Sequence, residues 1–106
     1  MLPTSSVQSI LKRIKGDICA LPQHNVVEFV LFGSAVKNAQ PRDIDIALIV
    51  EDKTDLFEFT RAISPIVAAQ TAASGLLISC FPIRREKYLR TSSQFVSNVQ
   101  SHGRKF

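Results

Sequence analysis

The chain has 106 residues, 45% of them hydrophobic, and carries 13 basic against 9 acidic side chains for a net charge of +4. That length supports one compact domain over residues 1–106, with no room for a separate substrate-selecting domain. Two isolated cysteines, Cys19 and Cys80, exclude a disulfide framework and a zinc cluster, and no apolar run reaches membrane-spanning length or has the form of a signal peptide. A cytoplasmic protein with buried free thiols and no membrane association is expected.

In chain order, Pro3 and the Thr4-Ser5-Ser6 cluster suit a helix start, and Val7, Ile10, Leu11, Ile14 and Ile18 recur at the spacing of one helical face up to about Leu21-Pro22. Gln23-His24-Asn25 then leads into an apolar run from Val26 to Phe32 with strand character, interrupted by Glu28, which should face an edge, solvent or a cation. The run stops at Gly33-Ser34, where Ser34 has the place of a helix N-cap. A short turn over Ala35-Val36-Lys37 and a loop from Asn38 through Ala39 and Gln40 to Pro41 follow. A second strand runs from Asp43 to Val50.

Asp52 or Thr54 is placed to cap a second helix, in which Pro65 should cause a kink or a restart before Ser74-Gly75 ends it. The stretch Leu76 to Ile83 is apolar on both strand faces and reads as a covered strand, with Pro82 at an edge or end. A basic helix over Arg84 to Arg90 and a last helix capped by Ser92 or Ser93 and stopped by Gly103 complete the chain.

The chemistry concentrates between Val26 and Val50. Period-two alternation puts Asp43 and Asp45 on one side of their strand and Ile44, Ile46 and Leu48 on the other. Two carboxylates on one side repel each other unless a cation joins them, and Mg²⁺ takes such hard oxygen ligands together with substrate phosphates. Gly33 has no Cβ to keep a phosphate from its backbone, and Ser34 adds a hydroxyl.

Gly33-Ser34, eight intervening residues and Asp43-Ile44-Asp45, between two hydrophobic strands, resemble the signature of the DNA polymerase β-like nucleotidyltransferase superfamily, and the short chain resembles its minimal (MNT) branch. The resemblance implies an α/β (α+β) fold, a small mixed sheet with helices packed mainly on one face. It implies a nucleoside triphosphate, ATP foremost, bound by Gly33 and Ser34, with Asp43 and Asp45 as catalytic ligands of Mg²⁺. Lys37 is carried over as the basic residue following the turn, and Arg42 stands where the family has a small polar residue. A nucleotide monophosphate would pass to a hydroxyl acceptor with release of pyrophosphate, and the family implies an antitoxin-like role beside a HEPN-type partner.

One departure bears on mechanism. The family has a third carboxylate on the third strand, whereas this chain has no Asp or Glu between Glu58 and Glu86. Ser79, or Leu77 in the other register, takes that place. A catalytically weak or inactive module that neutralises a partner by docking is therefore the alternative function. Nucleic-acid binding through Arg84 to Arg90 rests on charge alone.

Overall fold

The computed structural model describes residues 3–22, 24–38, 41–90 and 93–106, with side chains described from Val7 onward. Gln23, Ala39, Gln40 and Ser92, and the side chains of Thr4, Ser5 and Ser6, lie outside the described residues. Four α-helices and a four-stranded sheet are seen among those described.

Helix α1 spans Pro3–Cys19. All five members of its expected stripe, Val7, Ile10, Leu11, Ile14 and Ile18, are buried. At about 1.5–3 kcal/mol per fully buried side chain, this packing outweighs the propensity lost at Gly16, about 1 kcal/mol. Strand β1 (Val26–Phe32) and strand β2 (Asp43–Val50) form an antiparallel pair, with Phe32 opposite Asp45 and Val30 opposite Ala47. Helix α2 (Leu56–Ser74) then crosses over to strand β3 (Leu77–Arg84), which runs parallel to β2. Helices α3 (Arg85–Arg90) and α4 (Gln94–His102) follow, and a two-residue strand β4 (Arg104–Lys105) pairs with the free edge of β1, giving the sheet order β3-β2-β1-β4.

The sheet is mixed, as expected, and both its faces carry helices. Ile44, Ile46, Leu48 and Val50 of β2 pack with Phe29, Leu31 and Ile78 against α1 and the α2 residues Phe59 and Ile63. On the opposite face Val30, Ala47, Ile49 and Ile83 pack with Tyr88 of α3 and Val96 and Val99 of α4. The expectation of helices mainly on one face thus describes α1 and α2, while the two shorter helices cover part of the other face. Burial on both sides explains why Ile46 through Val50 is an unbroken apolar run.

Several local expectations are corrected. Asp55, not Asp52 or Thr54, caps α2, accepting from the backbone N–H groups of Phe57 and Glu58 at 3.0 and 3.1 Å. Asp52 instead accepts from the N–H of Glu86 at 2.8 Å, and Thr54 is buried. Helix α2 continues through Pro65 as one element, so no restart occurs there. Strand β3 is an edge strand with Leu77 and Phe81 exposed, so its two-sided apolar character does not reflect an interior position. Cys19 is exposed, whereas burial pushes the Cys80 thiol up to about 12 and makes it a packing group. Glu28 does meet a cation, Lys105 of β4, at 2.7 Å.

Strand β4 went unanticipated, and Gly103 makes it possible. A Cβ on Gly103 would collide with the carbonyl oxygen of Val99 and the side chain of Val30, so only glycine lets the chain leave α4 and turn onto β1. A Cβ on Gly16, by contrast, would meet nothing within 4 Å. Gly103→Ala should therefore destabilise the protein by about 1–3 kcal/mol through overpacking, while Gly16→Ala should stabilise it by about 0.5–1 kcal/mol. Thermal denaturation followed by circular dichroism checks both; a stabilised Gly103→Ala would contradict the packing assigned to this turn.

Candidate functional site

The site forms where the C-terminal end of β1 meets the N-terminal ends of β2 and β3. Phe32, the last residue of β1, pairs with Asp45, and Asp45 pairs on its other side with Ser79. Asp43 stands one pleat away, opposite Leu77. Laterally paired residues share a face, so Asp43, Asp45, Leu77 and Ser79 all project from the side of the sheet that also carries α4. Of the two registers considered for β3, the observed one sets Ser79 beside Asp45.

Gly33 opens a 3-10 turn, Gly33–Val36, directly after the extended Phe32. Ser34 therefore lies inside the turn and not at its cap; its carbonyl accepts from the N–H groups of Lys37 at 3.2 Å and Asn38 at 2.8 Å. Gly33 has φ +77°, a conformation that side chains disfavour, and a Cβ there would lie 2.7 Å from Oδ2 of Asp45. The positive φ favours glycine, and the missing Cβ leaves the space in which the Asp45 carboxylate lies. The result is that a carboxylate and a bare stretch of backbone, twelve residues apart in sequence, lie against each other.

Asp43 is exposed and Asp45 half-buried. Burial foremost, and the neighbouring Asp43 second, hold the Asp45 carboxyl above its ordinary value of 3.8. Among the described residues no basic side chain forms an ion pair with either aspartate. The described residues also contain no cluster of three or more His, Cys, Asp or Glu side chains of metal-binding geometry. This donor set suits a hard cation that draws its remaining ligands from substrate oxygens and water, as Mg²⁺ does, and does not suit a cation caged wholly by protein.

Beside the acids stands an aromatic wall. Phe32, Phe81 and Phe95 are mutually in contact, with ring centroids 5.4–5.6 Å apart, and Phe81 and Phe95 remain exposed. Period two alone places Phe81 on the same face as Ser79, but nothing in the sequence brings Phe95 of α4 to it.

Lys37 and Arg42 are not gathered into this site. The Lys37 side chain lines a groove toward α1, and Arg42 is exposed, with its carbonyl accepting from the N–H of Leu77 at 3.1 Å. The basic segment is partly committed to the fold: Arg84 donates to the carbonyl of Thr54 at 3.2 Å, and Arg90 pairs with Glu86 at 3.1 Å.

The raised Asp45 pKa makes a directional prediction. Between the unfolded and folded pKa values the native state binds more protons than the unfolded state, so this group's contribution declines as pH rises through that window. Asp45→Asn should therefore gain stability relative to wild type as pH rises from about 3 to about 7, with no advantage at the acid end. Melting temperatures measured across that range check it; a difference that is flat, or that grows toward acid, would contradict the environment assigned to Asp45.

No family model matches this chain, and comparisons with curated proteins and with solved structures find no match, so function rests on the geometry of the site itself.

Proposed function

We propose that the protein is a minimal nucleotidyltransferase of the polymerase β-like type that binds a nucleoside triphosphate, ATP foremost, with Mg²⁺ at Gly33, Ser34, Asp43 and Asp45. The observation that carries this reading is the apposition of Gly33 to the Asp45 carboxylate. A turn suited to phosphate and a pair of acids suited to Mg²⁺ are useful to one ligand only if they adjoin.

Asp43 and Asp45 would hold the metal, which when bound supplies charge neutralisation and polarisation of the phosphoryl oxygens. The backbone at Gly33 offers an approach that no Cβ obstructs, and the exposed Ser34 hydroxyl can donate to a phosphate oxygen. In the reaction the acceptor hydroxyl oxygen bonds to the α-phosphorus, the bond to pyrophosphate breaks, and the acceptor proton must leave.

Ser79 occupies the position from which a carboxylate would take that proton. A neutral hydroxyl is a poor base, and loss of a positioned base typically costs about 10²–10⁴-fold. This one substitution favours slow turnover, and it supports the second reading, a nucleotide-binding module that acts by docking to a partner. Following the resemblance, the proposed partner is a HEPN-type protein, as acceptor in the first reading and as docking target in the second.

Titration calorimetry with Mg²⁺-ATP tests the binding. Asp43→Asn and Asp45→Asn should each weaken affinity by on the order of a hundredfold while the fold persists; unchanged affinity in both would remove the metal-site assignment. Ser79→Asp, which adds a third carboxylate next to Asp45, should enlarge the Mg²⁺-induced rise in melting temperature with nucleotide present, because an ion that binds only the native state stabilises it by mass action. A rise no larger than that of wild type would separate β3 from the metal.

A further inference from the structure

We propose that the groove between α1, the Gly33–Val36 turn and the C-terminal strand is a second binding site, one that takes a small amphiphilic anion: an acidic head on an apolar body. This inference does not depend on the nucleotidyltransferase reading. Leu31, in the groove, projects from the α1 side of the sheet, the face opposite the aspartates.

The groove encloses about 560 Å³, within the range of small-molecule sites. Its floor is apolar, built by Val7, Leu11, Leu31, Val36 and Phe106. Around that floor stand Lys12, Lys15, Lys37 and Arg104, while Lys105, paired with Val30, turns its ammonium to Glu28 on the opposite face; no acidic residue is among the described ones lining the groove. Four of the chain's 13 basic side chains thus meet at one cavity.

One of the four already has a partner. Lys15 donates to the carbonyl of Phe106 at 2.9 Å while its ammonium lies 5.5 Å from the centre of the Phe29 ring. Lys12, Lys37 and Arg104 are exposed and form no ion pair among the described residues. They belong to three different elements, so their convergence is a product of the fold and not of a local charge run. Like charges brought together around an apolar floor repel one another, which opposes folding. An anionic ligand relieves that repulsion, and the floor gives it apolar area to cover.

A polynucleotide fits less well, since it needs an extended cationic track and successive stacking surfaces. Here the cations ring a confined cavity in which Phe106 is the single aromatic side chain among the described residues.

The test is calorimetric titration of the full chain with octyl phosphate below its micellar concentration, compared with butyl phosphate and inorganic phosphate at matched ionic strength. Octyl phosphate should bind at least about tenfold more tightly than butyl phosphate, because its four further methylenes find the floor. Inorganic phosphate should bind most weakly. Lys12→Glu and Arg104→Glu, both at exposed positions, should each weaken octyl phosphate by about tenfold with a melting temperature no lower than that of wild type, since each reversal relieves the repulsion. The proposal is overturned if octyl phosphate shows no saturable binding, if its affinity equals that of butyl phosphate, or if neither charge reversal has an effect. Displacement of octyl phosphate by an oligothymidylate at lower concentration would overturn it in favour of a nucleic-acid surface.

Discussion

The carboxylate of Asp45 rests against the backbone of Gly33, and the candidate site depends on that approach. It needs a residue without a side chain, in a left-handed conformation, at the point where β1 ends. It also needs β2 to be held in one register, because a slip of a single residue would replace Asp45 with Ile44 or Ile46 and turn both acids into the α1 face. Burial supplies the register. Every residue of β2 from Ile46 to Val50 is buried, with apolar side chains fitted alternately to α1 and α2 on one face and to α3 and α4 on the other.

The same strand thus serves two opposed demands. Its C-terminal part is apolar on both faces and central to the core, while its first residues carry charge on the one face that the short helices leave open. Asp45 sits at the boundary, half-buried and reluctant to ionise, next to an exposed Asp43. Groups in this condition are common where a cation or substrate is to be bound, because the unfavourable interaction in the empty site becomes binding energy once opposite charge arrives. The aromatic wall of Phe32, Phe81 and Phe95 lies on the same face of the sheet, with Phe32 paired directly to Asp45.

Much of this was legible in the residues, for identifiable reasons. The stripe on α1, the limits of β1 and β2, and the common face of Asp43 and Asp45 follow from periodicity over long, unambiguous segments. Ser79 beside Asp45 was legible too, once β3 was taken as a neighbour of β2. What escaped depends on contacts between distant segments. Asp55 wins the cap of α2 because Asp52 bonds to Glu86 and Thr54 turns inward. Two residues at 104 and 105 have no strand signal of their own; β1 offers them an edge and Glu28 a partner for Lys105. The groove ringed by cations is of the same kind, since Lys12, Lys37 and Arg104 become neighbours only in three dimensions. Lys37 followed the turn in sequence as a phosphate ligand would, but its side chain lies toward α1.

The central claim is that a divalent cation and a nucleotide meet at Gly33, Asp43 and Asp45. Paramagnetic relaxation tests it most directly: Mn²⁺ in place of Mg²⁺, titrated with ATP into isotopically labelled protein and read by amide signal loss. The account predicts selective broadening of Gly33, Ser34, Asp43 to Asp45 and Leu77 to Ser79, with the amides of Lys12 and Lys15 on α1 preserved. Broadening centred elsewhere, or none at saturating nucleotide, would contradict it.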